Sequence, residues 1–195
     1  MATSLATPSQ TVGPFFHFAL DRPEWSDLTR SGARGEKIVV EGQVLDGDGA
    51  SCDDAVVEIW QANAAGRYAH PEDTRADGHD DPNFTGFGRA LTDAGGRYRF
   101  TTIRPGRVLA RDGTQQAPHI NVTVFARGLL KQLTTRIYFA DEAANETDPV
   151  LSGVGDPLAR RTLLAVRQEG GTGGLPTYRF DVVLQGKGET IFFDI

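Results

Sequence analysis

His119 and Asn121 stand two residues apart in Ala117-Pro118-His119-Ile120-Asn121-Val122-Thr123-Val124-Phe125-Ala126. The β-branched run Ile120, Val122, Thr123 and Val124 predicts a strand. Side chains alternate along a strand, so His119, Asn121, Thr123 and Phe125 share one face. Ile120, Val122 and Val124 share the other and point to a core. A His-x-His at this place would aim two imidazoles at one iron or zinc ion. Here the second position is an amide, a poorer ligand, and that single difference governs the reading of the chain.

Tyr68, in Gly66-Arg67-Tyr68-Ala69-His70, offers either a phenolate ligand or a packed ring with a bonded hydroxyl; the second is the commoner environment. His70 and His79 lie among Glu72, Asp73, Asp77, Asp80 and Asp81, at a spacing that fits no metal site and suits a solvated loop. Arg136 shares a strand face with Tyr138. It is either a sheet-face arginine paired with a carboxylate or a clamp for a ligand's carboxylate, to which the guanidinium fork is matched. The chain has no nucleophile elbow, P-loop, dinucleotide fingerprint or Cys/His zinc spacing.

The elements that must position these groups are mostly strands. Runs at 38–45, 54–62, 89–93, 97–103, 118–126, 134–139, 178–184 and 190–195 read as strands divided by Gly, Pro and Asp turns. The long segment from Arg67 to Gly88 is too polar for a core. One helix is expected, with Asp156 as cap, Pro157 first and an apolar face from Leu158 to Val166. Residues 1 to about 35 do not read as sheet; Gly13-Pro14-Phe15-Phe16 suits an arm packing its aromatics, with one helical turn within 22–30. The expected fold is all-β: a β-sandwich of two mixed sheets, with an N-terminal arm and one short helix.

The 195 residues are enough for one domain with a substantial core. The net charge of −6 and the lack of a basic stripe argue against nucleic acid. No run approaches the roughly 18 apolar residues of a membrane span. Cys52 is the single cysteine, so no internal disulfide is expected. The first residues lack a basic start and apolar stretch, and the expected location is cytoplasmic.

Several segments in order resemble the intradiol ring-cleaving dioxygenases: Thr7-Pro8-Ser9-Gln10-Thr11-Val12-Gly13-Pro14-Phe15-Phe16; Val57-Glu58-Ile59-Trp60-Gln61-Ala62-Asn63 with Gly66-Arg67-Tyr68; Asp81-Pro82-Asn83-Phe84 to Gly88-Arg89; Ile103-Arg104-Pro105-Gly106; and Pro118-His119-Ile120-Asn121. The ending Gly186-Lys187-Gly188-Glu189-Thr190-Ile191-Phe192-Phe193-Asp194 also matches. Each motif is weak alone; the ordered set is specific. Catalytic members hold ferric iron with two tyrosines and two histidines. Tyr68 and His119 match two of these ligands. The second tyrosine is absent, since Pro105-Gly106 leads to Arg107-Val108, and Asn121 replaces the second histidine. Gln115-Gln116 occupy the neighbourhood where catalytic members carry an arginine.

The resemblance therefore implies a degenerate α-type chain that binds no metal. It implies an iron-binding β subunit of the same fold as partner, carrying the Fe(3+). The reaction implied is insertion of O2 into protocatechuate, giving 3-carboxy-cis,cis-muconate. By resemblance, the arm (1–35) packs on the partner, Thr11, Gly13 and Pro14 line the substrate pocket, and residues 36–195 form the sandwich. Arg136 is the candidate for the substrate's carboxylate. Two other readings stay open: a self-sufficient enzyme with an altered metal site, and a prealbumin-like β-sandwich module without chemistry.

Overall fold

The computed structural model describes residues 15–75, 79–110 and 112–194. Eleven strands are described: β1 (Lys37–Leu45), β2 (Val56–Gln61), β3 (Phe87–Leu91), β4 (Arg97–Ile103), β5 (Val108–Leu109), β6 (Gln115–Gln116), β7 (His119–Phe125), β8 (Leu133–Phe139), β9 (Leu164–Thr172), β10 (Leu175–Arg179) and β11 (Val182–Val183). Three short helices join them, α1 (Phe15–Leu20), α2 (Pro149–Gly153) and α3 (Pro157–Arg161), with 3-10 turns at Pro23–Ser26 and Ala143–Thr147.

Alternation decides which face each strand buries. On β7, Ile120, Val122 and Val124 are wholly buried, as the pattern requires. They meet Val57 and Ile59 of β2, Ile137 and Phe139 of β8, Ile38, Val40 and Val44 of β1, and Phe100 of β4 in one core. Each such side chain contributes roughly 1.5–3 kcal/mol by leaving water.

The all-β expectation holds, but the sheets are not separate. Nine strands form one hydrogen-bonded sheet in the order β11-β1-β10-β9-β8-β7-β2-β3, with β4 also on β1; β5 and β6 form a second, two-stranded sheet. The half around β1 and the half around β7 meet at β8 and β9, through only two parallel pairs, Tyr138 with Leu164 and Phe139 with Ala165. Pairing is mixed: β1 runs parallel to β10 and β11 and antiparallel to β4.

Three local expectations change. Asp156 does cap α3, accepting from the Leu158 N–H, but the helix stops at Arg161. The Thr162 N–H turns back to the Ala159 and Arg160 carbonyls, and Leu164, Ala165 and Val166 enter β9 instead. Their apolar character serves a strand, and Gly170 and Gly171 downstream would weaken any helix. A second helix, α2, precedes α3, because Asp148-Pro149 repeats the capping chemistry of Asp156-Pro157. The final stretch is not a strand over its described residues 190–194; it is tied to the sheet by one bridge, Thr134 to Phe193, and by bonds between Thr190 and Val183 and from the Thr135 hydroxyl to the Ile191 carbonyl. The 3-10 turn at Pro23–Ser26 matches the helical turn expected within 22–30, while α1 is a helix the arm reading did not contain.

Candidate functional site

Strand register assembles the candidate residues. Trp60 on β2 lies opposite Asn121 on β7, and Asn121 lies opposite Arg136 on β8. One step along, His119 lies opposite Tyr138. All five sit on the face turned away from the main core.

Tyr68 reaches them from the loop after β2. Asn63 starts that loop, its Oδ1 accepting from the Ala65 and Arg67 N–H groups at 2.9 and 3.0 Å. Gly66 has φ +78, and a Cβ there would lie 1.9 Å from the Arg107 carbonyl oxygen. Only glycine lets this loop press against the segment leading to Val108. Asp73 then holds the loop: it accepts from the Tyr68 N–H at 2.9 Å and from Arg75 Nε and Nη2 at 2.8 and 2.7 Å. These contacts hold the Asp73 carboxyl at about 2, the bond from Arg75 contributing most.

The loop is thus better fixed than its polarity predicts. Phe84 is buried in the main core, and Asp81 accepts from the Arg34 N–H at 2.7 Å. His79 lends its carbonyl to Asn63 Nδ2. His70 is exposed and its Nδ1 accepts from the Glu72 N–H.

The hydrogen bonds of the cluster form a closed set. His119 Nδ1–H donates to the Ala117 carbonyl at 2.8 Å. That fixes the tautomer and leaves Nε2 as an acceptor, 3.4 Å from the Tyr68 hydroxyl. The same hydroxyl accepts from Asn121 Nδ2 at 3.2 Å, and Nδ2 also donates to the Trp60 carbonyl at 3.2 Å. The Tyr68 ring stacks on Trp60, with centroids 5.8 Å apart. Burial raises the Tyr68 phenol above its ordinary range, against the opposing bond from Asn121 and the charge of Arg136. Burial, helped by Arg136, lowers His119 to about 4. At neutral pH the cluster is a neutral phenol, a neutral imidazole and an amide.

Arg136 is half-buried beside them. Its Nη1 donates to Gln116 Oε1 at 3.3 Å and to the Tyr138 hydroxyl at 3.4 Å; among the described residues no carboxylate lies within ion-pair distance. The sheet-face arginine paired with an acid is therefore not what is found. Tyr138 passes its own hydrogen to Asp148 Oδ1 at 3.2 Å. Asp148 is fully buried and also accepts from the Ala117, Val150 and Leu151 N–H groups. Asp148 escaped the sequence reading, which named Trp60 only as part of a motif and Gln116 only as standing where catalytic relatives carry an arginine. The Asp-Pro cap signal could have found Asp148; the other two follow only from register and pairing.

A cavity of about 640 Å³ opens beside the cluster, with Trp60, Tyr68, His70, Val108 and Leu109 in its walls. Val108 fills the place where the resemblance expects a second tyrosine. Among the described residues no group of three or more His, Cys, Asp or Glu side chains is arranged to hold a metal ion. Thr11, Gly13 and Pro14 lie outside the described residues.

Comparison with known proteins places the chain in a family. A family model described as dioxygenase matches residues 13–186. The protocatechuate 3,4-dioxygenase alpha chain of Pseudomonas putida is 43% identical, covering 96% of this chain and 96% of its own length. A protocatechuate 3,4-dioxygenase beta chain, of Burkholderia cepacia, is 38% identical over 93% of this chain and 77% of its own. Among solved structures, the dioxygenase domain of a carbohydrate-binding fusion from Streptomyces sp. SirexAA-E superposes with a TM-score of 0.61 at 29% identity, covering 92% of this chain and 98% of that one. The ordered motifs, the sheet that carries them and these relatives agree: the chain belongs to the intradiol ring-cleaving dioxygenase family.

Proposed function

We propose that this chain is the α-type, non-iron subunit of a two-chain protocatechuate 3,4-dioxygenase. The observation that carries the reading is the closed Tyr68–His119–Asn121 set, with Val108 beside it. A ferric ion needs anionic or lone-pair donors directed at one point. Here Asn121 directs N–H donors inward, the phenol keeps its proton, and a hydrocarbon side chain stands where a fourth donor would be. These residues do not fit a ferric centre, and no step of the reaction is routed through one on this chain. Higher identity to an alpha chain than to a beta chain supports the same assignment.

The iron then belongs to a β partner of the same fold, and the reaction is cleavage of protocatechuate with O2 to 3-carboxy-cis,cis-muconate. This chain's share is to shape the pocket. Thr11, Gly13 and Pro14, at the start of an arm of residues 1–35, pack on the partner and form part of the wall, where a glycine and a rigid proline let backbone approach a ring, while Leu28 and Ala33 near the arm's end belong to this chain's own core. Residues 36–195 form the sandwich proper, its two joined halves serving as the two sheets. Arg136 serves the substrate's carboxylate: it is half-buried, cationic and without an acid partner among the described residues. Assembly and reaction are assigned to the cytoplasm.

The test is co-expression with a chain of this family that carries His-x-His and both tyrosines. The reading expects the two to purify in equal amounts and the pair to cleave protocatechuate. Ring cleavage by this chain alone contradicts it.

A further inference from the structure

A second cavity, of about 510 Å³, lies against the 3-10 turn Pro23–Ser26 and the surface of β1, β3 and β4. Neither Tyr68, His119, Asn121 nor Arg136 lines it. The chain is acidic overall, with 20 basic against 26 acidic residues. Yet five arginines, Arg22, Arg89, Arg97, Arg99 and Arg179, converge on this one cavity, against Asp21, Glu41 and Asp93.

The arginines are not equally committed. Arg89 is bound to Glu58 and stacked over Trp25, with its Cζ 4.8 Å from the ring centroid. Arg179 is paired with Asp181 at 2.9 Å. Arg22, Arg97 and Arg99 have no carboxylate within ion-pair distance among the described residues. Of the acids, Asp93 is consumed by its own turn, its Oδ1 accepting from the Gly95 and Arg97 N–H groups at 2.8 and 2.9 Å. Glu41 lies in register between Arg99 on β4 and Arg179 on β10, one carboxylate between two guanidinium groups. Arg22 lies outside the strands, and Arg97 stands opposite Gln43 in register with its guanidinium charge near Asp93, whose carboxyl it helps to hold low.

We propose that this cavity is a binding site for a small polyanion carrying two or more carboxylate or phosphate groups. Guanidinium forks match both oxyanions in bidentate fashion, and unpaired arginines are the group for this work. The volume falls within the roughly 300–1,000 Å³ of ordinary small-molecule sites. A monoanion would leave at least one arginine without a partner, so multiple charge is the discriminating property.

The experiment is calorimetric titration of citrate, and separately of pyrophosphate, into the protein purified in the assembly it forms in its host, with acetate as the monoanion at matched ionic strength. The expected result is saturable binding of citrate or pyrophosphate at one per copy of this chain, with acetate far weaker. Arg99→Gln and Arg22→Gln should each weaken it about tenfold, the loss of one charge-assisted pair. Arg127→Gln, on an exposed pair with Asp53 remote from the cavity lining, should change nothing. A preference for citrate identifies a polycarboxylate, and one for pyrophosphate a phosphate compound. Absence of saturable binding, or binding that Arg99→Gln and Arg22→Gln leave intact, overturns the proposal. Iron content of the same samples reports separately on the subunit reading.

Discussion

Asn121 Nδ2 lies 3.2 Å from the Tyr68 hydroxyl, and the two side chains come from a strand and a loop 53 residues apart in sequence. The amide spends its donor on the phenol, at two of the places where the resemblance expects metal ligands. Replacing it with Ala should remove one hydrogen bond from a half-buried hydroxyl and from the Trp60 carbonyl. The expected cost is about 1–2 kcal/mol of unfolding free energy, read from urea denaturation. Asn121→Asp should cost more, because a carboxylate cannot donate to either partner; an Asp variant as stable as the parent would contradict the assigned hydrogen-bond direction.

All four tyrosines, Tyr68, Tyr98, Tyr138 and Tyr178, are held above their ordinary ionisation range, burial being the first cause for each. Folding is therefore favoured while they stay protonated. That contribution is complete below the unfolded value near 10 and declines as pH rises above it. Absorbance at 295 nm should show little tyrosinate at pH 10.5 in the folded chain, then a jump on unfolding. A smooth titration of four phenols centred on 10 in the native state would falsify this burial pattern.

His119 gives the opposite pH arm. Its folded value of about 4 lies below the ordinary 6.5, so the unfolded chain binds the proton first. The stability it contributes is complete above pH 6.5 and is lost as pH falls toward 4, by roughly 3 kcal/mol in all. Urea midpoints should fall between pH 7 and 5 in the parent and fall less in His119→Gln. Equal slopes for both would contradict the assignment.

Asp148 joins the site to its support. It takes the Ala117 N–H just before β7, the Tyr138 hydroxyl of β8 and two N–H groups opening α2. Asp148→Ala leaves these buried donors without a partner and is expected to cost about 3–5 kcal/mol. Asp156→Ala, on the exposed twin of this cap, should cost only about 1 kcal/mol. Thermal denaturation of the two variants side by side checks the ranking.

Arg136 carries the specificity prediction of the subunit reading. In the two-chain complex, Arg136→Ala should raise KM for protocatechuate about tenfold, the worth of one charge-assisted bond, and leave unsubstituted catechol nearly unchanged. A matched rise for both substrates assigns Arg136 a structural role through Gln116 and Tyr138 instead.

Much of this was legible before the fold. Alternation on β7 put His119 and Asn121 on the outer face and Ile120, Val122 and Val124 in the core, because a period of two admits no other arrangement. The Tyr68–His119–Asn121 meeting came through the resemblance rather than from spacing, since no local signal relates a loop at 68 to a strand at 119. Leu164–Val166 read as a helix tail because a short apolar run has no distinctive period; the Thr162 cap and the pairing with β8 decide it. The end at 190–195 looked like a strand from its aromatics, yet Ile191 and Phe193 pack on the second apolar cluster around Tyr138 and Leu151. The orphan arginine at 136 is invisible to sequence because pairing depends on which acids the folded chain brings near.

The central claim is tested most directly by iron content and the visible spectrum, measured on this chain alone and on the two-chain complex. The account predicts a colourless, iron-free chain and a complex with one iron per chain pair and a ferric-tyrosinate absorption band. Stoichiometric iron with that band in the lone chain contradicts it, for Tyr68 would then be a ligand and the hydrogen-bonded set described here would have to open.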